Sequence, residues 1–347
     1  GGKPVYVDLA RMPHLLIAGS TGTGKSVCLN AILASILLRA TPERLRMILI
    51  DPKKVELNHY EGLPHLLTPV VTNMKDAAAV LSNVVREMES RYELMGMARA
   101  RNLRDWNAHR AAAGERPMPT ILVVIDELAD LMMVSPAEVE DAIIRLAQKS
   151  RAVGIHLVLA TQRPSADVIT GMIKANVPSR IAFAVSSQVD SRVILDAGGA
   201  ETLLGHGDML FRPVGSSRLQ RLQGAYVSEE EIKEITDAWR AQGRPELRTE
   251  LLERPEPADD GVDPEGDDMI ARAVGLVVQQ GTASVSLLQR RLGVGYARAG
   301  RLVDMMERMG VVSGHEGSKP RTVLIGEADL DRVLRRVPAA VEEDPAE

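Results

Sequence analysis

The sequence predicts an α/β fold, a mainly parallel central sheet flanked by helices, followed by a small module of helices and a hairpin. Three observations predict it. Residues 1–249 alternate short branched apolar runs with helical stretches, the rhythm of strand–helix–strand crossovers. A glycine-rich loop stands between the first apolar run and the first helical stretch. After an acidic, proline-bearing interval the pattern changes at residue 269 to short helices closed by a hairpin.

Taken in order, His14–Ala18 is the first strand and Val27 to Leu38 the helix behind the glycine loop. Arg46–Ile50 is a second strand, and a long helix is expected near Lys75–Asn102. Thr120–Ile125 is five parts branched aliphatic, which suits a strand buried on both faces. A helix near Ala137–Lys149, strands at Ile155–Ala160 and Arg180–Val185, and edge strands at Gly207–Phe211 and Arg218–Tyr226 follow. Ser228 three residues ahead of Glu231 is a capping-box pattern, opening a helix to Gln242 that closes the domain. Residues 250–268 read as a solvated linker, with nine acidic residues, one Arg and three prolines. The tail 326–347 is again acidic.

Residues 19–26 read Gly-Ser-Thr-Gly-Thr-Gly-Lys-Ser, a complete Gly-x4-Gly-Lys-Ser phosphate loop in the required strand–loop–helix context. Its glycines turn backbone N–H groups inward, and the helix start adds partial positive charge. Gly19, Thr21, Gly22, Thr23, Gly24, Lys25, Ser26 and Val27 are therefore the expected nucleotide cradle. Lys25 should reach the β- and γ-phosphates, and the Ser26 hydroxyl should ligate Mg²⁺. Asp126 and Glu127 end the apolar run Ile121–Ile125, at the strand edge where α/β folds bind ligands. Asp126 is the expected second Mg²⁺ ligand, and Glu127 the group that orients and deprotonates a water. Together these imply Mg²⁺-dependent hydrolysis of a nucleoside triphosphate.

The chain of 347 residues has a single cysteine, Cys28, so an internal disulfide is impossible and a reducing compartment is expected. No apolar run is long enough to cross a bilayer. The opening Gly1-Gly2-Lys3 reads as an internal boundary, which leaves a membrane domain ahead of it open. His14, His65, His156 and His206 have no metal-ligand spacing and read as structural. Net charge is −5, yet residues 269–325 carry eight Lys/Arg against three Asp/Glu. A basic module between acidic flanks suits a polyanion.

Within that module, helices at Met269–Gln280, Val285–Leu292 and Tyr296–Met309, a turn at Gly293-Val294-Gly295 and a hairpin from Val311 to Ile325 give the winged-helix order. The helix after the turn is the one that enters a major groove. Arg298 and Arg301 fall on its outer face, with Asp304 one turn on. Leu302, Met305, Met306 and Met309 take core spacing.

The strings Ile50-Asp51-Pro52-Lys53, Ala160-Thr161-Gln162-Arg163-Pro164-Ser165, Ile173-Lys174-Ala175-Asn176, Asp190–Asp196 and Gly205–Leu210 complete a pattern that resembles the FtsK/SpoIIIE DNA translocases, over roughly residues 3–325. The resemblance implies a RecA-like motor domain that hydrolyses ATP, assembles as a hexameric ring and moves double-stranded DNA, with a winged-helix γ domain reading sequence. It also implies a place on the cytoplasmic side of the division septum, a membrane anchor outside this chain, and in many members a site-specific recombinase as partner. Carried over by position, Arg151 matches an arginine finger offered to a neighbouring subunit, and Gln162 a γ-phosphate sensor. Arg163, Lys174 and Arg192 match pore-loop residues that touch the DNA backbone. Arg301 matches a base-reading Arg, able to pair with guanine. Gln188, Ala297 and Asp304 depart from the family's frequent Lys, Asn and Glu. Asp51 and Lys53 stand out as a charged pair at a strand end, without an evident role. Two other readings of the residues stay open: a related motor acting on protein, and a nucleotide-gated DNA-binding regulator.

Overall fold

A computed structural model describes residues 2–216, 218–253, 264–292, 296–313, 321–326 and 329; within these, the side chains at 264–268, 286, 290, 296–298, 301, 304 and 308 are not described. The chain divides into two compact units, Gly1–Pro255 and Glu256–Glu347.

In the first unit, β1 (His14–Ala18) leads through the glycine loop into α1 (Lys25–Leu37), then β2 (Leu45–Ile50). The helix expected over 75–102 ends at Met97, as α2 (Met74–Met97), and a helix not foreseen, α3 (Leu103–Ala112), begins beyond it. Arg99 takes a left-handed φ of 54°, which no helix interior tolerates, and the Asn102 side chain accepts from Asp105 N–H at 2.9 Å to cap a fresh start. β3 (Thr120–Ile125) is followed by α4 (Leu128–Val134), a helix not foreseen, and by α5 (Pro136–Lys149). Ser135 leaves the helical region ahead of Pro136, at φ −142° and ψ 62°, because proline disfavours a helical predecessor; that separates α4 from α5. β4 (Ile155–Thr161), α6 (Gly171–Asn176), β5 (Ser179–Ala182) and α7 (Gln188–Leu195) complete the parallel part. β5 stops three residues short of the expected Val185, because Phe183 and Ala184 turn to support the glycine loop, with Ser20 N–H on the Ala184 carbonyl at 3.0 Å. β6 (Asp208–Arg212), β7 (Gln220–Gln223) and α8 (Glu229–Arg240) close the unit. The Ser228–Glu231 capping box forms.

The sheet order is β2-β3-β4-β1-β5-β6-β7. The first five strands are parallel, and β6 and β7 add antiparallel at one edge. Alternate residues face opposite layers. Leu16, Ile48, Val123 and Leu157 pack with α2, α4 and α5. Leu15, Met47, Leu122 and Val158 pack with α1 and α8. The sequence expectation of a linker from residue 250 differs at both ends. Leu251 is buried, and Asn83 Nδ2 donates to the Leu251 and Glu253 carbonyls at 2.8 Å. At the other end helical structure begins at Pro264.

The second unit comprises α9 (Pro264–Gln280), β8 (Thr282–Ala283), α10 (Val285–Leu292), α11 (Tyr296–Arg308) and β9 (Arg321–Thr322). β8 pairs antiparallel with β9, and Val312 bridges Val323. Ile270, Val274, Leu288, Leu302 and Met306 form its core. Met305, expected inside, is 44% exposed; it neighbours a core residue along the helix and so faces away from the seam. The turn 293–295 and the hairpin tip 314–320 lie outside the described residues.

Candidate active site and DNA-facing residues

The glycine loop is fixed by two close approaches that only glycine permits. A Cβ on Gly19 would stand 2.6 Å from Phe183 Cβ. Gly24, at φ 116°, would place one 2.6 Å from Gly207 N, a position barred to side chains both by backbone conformation and by space. Gly207 N–H in turn donates to the Thr23 carbonyl at 2.9 Å. Thr23 Oγ1 donates to the Ser20 carbonyl at 2.6 Å. The first helical bond of α1 is Cys28 N–H to the Gly24 carbonyl. The amides of Lys25, Ser26 and Val27 precede it, and helix starts leave such amides without a helical acceptor. The result is a set of backbone donors suited to binding an anion. Cys28 itself is buried and its thiol is pushed up to about 12, so it is packing.

Lys25 lies against Asp126. Its Nζ donates to Asp126 Oδ1 at 2.7 Å and to the Asp126 carbonyl at 2.8 Å. Both side chains are buried. Burial pushes the Asp126 carboxyl above its ordinary value, and Lys25 opposes this without cancelling it. Asp126 Oδ2 is buried with no hydrogen-bond partner. Among the described residues no group of three or more His, Cys, Asp or Glu side chains gathers around a metal position. A carboxylate with an unpartnered oxygen, with a Ser at the end of the glycine loop, is nevertheless a donor set of the kind that suits Mg²⁺, which keeps phosphate and water ligands.

Glu127 caps the other side of the strand end. Thr161 Oγ1 donates to its Oε1 at 2.5 Å, and Gln162 N–H lies 3.1 Å from Oε2. Lys53 Nζ stands 3.7 Å from Oε2. Gln162 Oε1 accepts from Thr21 Oγ1 of the glycine loop at 2.9 Å and lies 3.5 Å from Lys53 Nζ. Asp51 holds Lys53 in place: its carboxylate accepts from the backbone N–H groups of Lys53, Lys54, Glu56 and Leu57 at 2.9–3.0 Å. The charged pair without an evident role in the sequence is thus a loop anchor and a cation beside Glu127 and Gln162. Thr161 was given no role from the sequence, although it stands in the Ala160–Ser165 string; its bond to Glu127 shows only in the fold.

Arg151 is not in this chain's own site. It precedes β4, while Thr161 and Gln162 end it; six extended steps put about 20 Å between them. Arg163 and Arg192 are exposed, Arg163 with Nη1 3.5 Å from Met133 Sδ. Lys174 is committed differently, since its Nζ pairs with Asp196 Oδ1 at 2.8 Å. Asp196 also receives Arg180 at 2.6 Å and Arg212 at 3.0 Å. Burial pushes its carboxyl up, but the Lys174 and Arg180 hydrogen bonds outweigh that and hold it at about 2. Arg298, Arg301 and Asp304 lie on the α11 backbone, and their side chains fall outside the described residues.

A cavity of about 500 Å³ lies elsewhere, at the amino ends of β2 and β3, lined by Arg46, Arg91, Glu87, Glu246 and Arg248 among others. Arg91 and Arg248 both pair with Glu87 at 2.8 Å, and Arg46 donates to the Glu246 carbonyl at 2.7 Å. Its buried cation, Arg91, is thus committed to an ion pair within the fold.

Residues 1–166 match the FtsK/SpoIIIE family, and residues 264–326 match the Ftsk gamma domain. The chain is 54% identical over 332 residues to the DNA translocase FtsK of Bacillus anthracis, covering 94% of this chain and 42% of that protein. It is 53% identical over 338 residues to the DNA translocase SpoIIIE of Bacillus subtilis, covering 96% and 43%. The chain therefore spans less than half the length of these relatives. Among solved structures, the pCW3 conjugation coupling protein TcpA, a monomer with ATPγS, superposes with a TM-score of 0.58 at 32% identity, over 67% of this chain and 66% of that one. The fold is that of the RecA-like P-loop ATPases, followed by a winged helix. No helix among the described residues is long and apolar enough to cross a membrane. The chain belongs to the FtsK/SpoIIIE family.

Proposed function

We propose that this FtsK/SpoIIIE-family chain is an ATP-driven motor that moves double-stranded DNA. The single observation that carries the chemistry is the strand end Asp126-Glu127 beside the glycine loop: a buried carboxylate with a free oxygen, its partner Lys25, and a second carboxylate on three donors. The relatives named as DNA translocases, and the gamma-domain match, favour DNA over a protein substrate.

In this reading the amides of residues 22–27 bind the phosphates, and an arriving triphosphate draws Lys25 from Asp126 toward its β- and γ-oxygens. Ser26 and Asp126 would hold Mg²⁺, which supplies neutralisation of the phosphate charge. Glu127 orients a water and takes its proton as the water oxygen bonds to the γ-phosphorus and the bond to the β-phosphate oxygen breaks. Thr161 and the Gln162 amide keep that carboxylate aimed. Arg151, too far from its own site, completes the neighbour's in a hexameric ring, where a cation at the transferring phosphate is worth orders of magnitude in rate.

Movement of the segments after β4 and β5 would carry Arg163 and Arg192 along the DNA backbone. Phosphate contacts suit a motor, since they carry little sequence information. Lys174 joins them only by exchanging Asp196 for phosphate. Arg298, Arg301 and Asp304 of α11 would read base edges and orient the motor. The biological setting we propose is chromosome movement at the division septum, on the cytoplasmic side, with the longer protein anchored in the membrane and a recombinase as partner.

The test is steady-state ATP hydrolysis with and without long duplex DNA, beside Lys25→Ala. Strong stimulation, abolished in the variant, is expected. Hydrolysis indifferent to DNA but stimulated by protein would support the protein-motor reading, and sequence-specific binding without turnover the regulator.

A further inference from the structure

We propose that Lys53 reads the γ-phosphate: it rests on the Glu127 and Gln162 side chains when that phosphate is absent and moves onto it when ATP binds. The inference rests on the reading of this site as an ATP site and adds a residue to it.

Four observations carry it. First, Lys53 stands where the γ-phosphate end of the site must lie. Its Nζ is 3.5 Å from Gln162 Oε1, which itself accepts from Thr21 of the phosphate loop, and 3.7 Å from Glu127 Oε2. Second, its contacts are loose. The Lys25–Asp126 pair in the same site closes to 2.7 Å, the length of a strong charge-assisted bond, whereas Lys53 has no contact that short. An ammonium held at 3.5–3.7 Å retains donor capacity for a better anion. Third, its side chain is 43% exposed, while Glu127 beside it is 1% exposed. Lys53 is the mobile member of the pair, and the carboxylate is the fixed one.

Fourth, the loop that carries it is rigid. The buried Asp51 carboxylate collects four amides of this loop, those of Lys53 itself, Lys54, Glu56 and Leu57. Such a carboxylate fixes the backbone and leaves only the four-carbon stem free to swing. When the ammonium transfers to a phosphate oxygen, Glu127 Oε2 loses a cation and gains a vacant lone pair for water. Occupancy by ATP and readiness of the base thereby become one event, with ADP unable to trigger it.

The test is calorimetric titration of the wild-type chain, Lys53→Met, Lys53→Arg and Lys25→Ala with ADP and with a non-hydrolysable ATP analogue, both with Mg²⁺. A hydrogen bond to a charged group is worth about tenfold or more in affinity. Lys53→Met should lose about that for the analogue while keeping ADP within about twofold, and Lys53→Arg should recover most of the loss. Thermal midpoints of all four report folding; the exposed Lys53 side chain should leave its variants at the wild-type midpoint. Equal weakening of both nucleotides, or no weakening of the analogue, overturns the Lys53 assignment while the site itself stands. Failure of the wild-type chain to bind either nucleotide, or binding indifferent to Lys25→Ala, overturns the ATP-site reading and Lys53 with it.

Discussion

Lys25 and Asp126 form a buried ion pair, Nζ to Oδ1 2.7 Å, in which the second carboxylate oxygen has no partner. The pair stores the site's two charged groups against each other. Removing one partner of a buried pair costs about 3–5 kcal/mol. Lys25→Ala should lower the unfolding free energy by roughly that amount in urea at neutral pH. Burial holds the Asp126 carboxyl above its ordinary value, so its charged form is the disfavoured one in the fold. The loss in Lys25→Ala should therefore be larger at pH 8 than at pH 5, where protonation relieves the orphaned charge. A loss independent of pH would mean that Asp126 is solvated instead.

Gly24 and Gly22 separate strain from collision. Both have positive φ, 116° and 78°, but a Cβ at Gly24 meets Gly207 backbone at 2.6 Å while one at Gly22 meets nothing within 4 Å. Gly22→Ala should cost about 1 kcal/mol of stability, from backbone conformation alone. Gly24→Ala should cost more and also abolish nucleotide binding, since the loop and the Gly207 turn must part. Chemical denaturation and nucleotide titration of the two variants measure the difference.

The glycine loop and the Asp126-Glu127 strand end were legible as a candidate site because their spacing is local: eight consecutive residues, and two residues ending one apolar run. Lys53 was not, because the groups that give it meaning are remote; Gln162 is 109 positions away. The same applies to Lys174, a surface cation by sequence but bound to Asp196 in the fold. Strands of the sheet centre were readable from unbroken aliphatic runs, whereas α4 was hidden because seven residues, apolar but for Asp130 and ending at a Ser-Pro, do not declare their period. Met305 misled because methionine suits both core and surface.

Three histidines make stability fall with acid. Burial holds His14 at about 3 and lowers His65 and His156. Their folded values lie below the unfolded one near 6.5, so the unfolded chain binds more protons as pH drops. Stability is full above that value and declines as pH falls below about 6.5, through a window that reaches toward 3 for His14, by up to about 1.4 kcal/mol per pH unit for that group. Urea midpoints at pH 7.5 and 5.5 test this, and His14→Gln should flatten the slope. An unchanged midpoint would place the rings in water.

The DNA-facing assignment has a salt signature. Each phosphate neutralised contributes about −0.9 to the slope of log affinity against log salt. Arg163 and Arg192 are exposed, so their joint replacement by Ala should reduce the slope on duplex DNA by about two. Lys174→Ala should change it less, since Asp196 already holds that ammonium. Fluorescence anisotropy across a salt series gives the slopes, and no change in the double variant would remove these residues from the interface.

The measurement that tests the central claim most directly is displacement of a third strand from a long duplex, followed in time with ATP, for the wild-type chain and Glu127→Gln. The account predicts ATP-dependent displacement by the wild type, and bound but motionless Glu127→Gln. Displacement unaffected by Glu127→Gln, or a wild type that hydrolyses ATP on duplex DNA without displacing the strand, would contradict it.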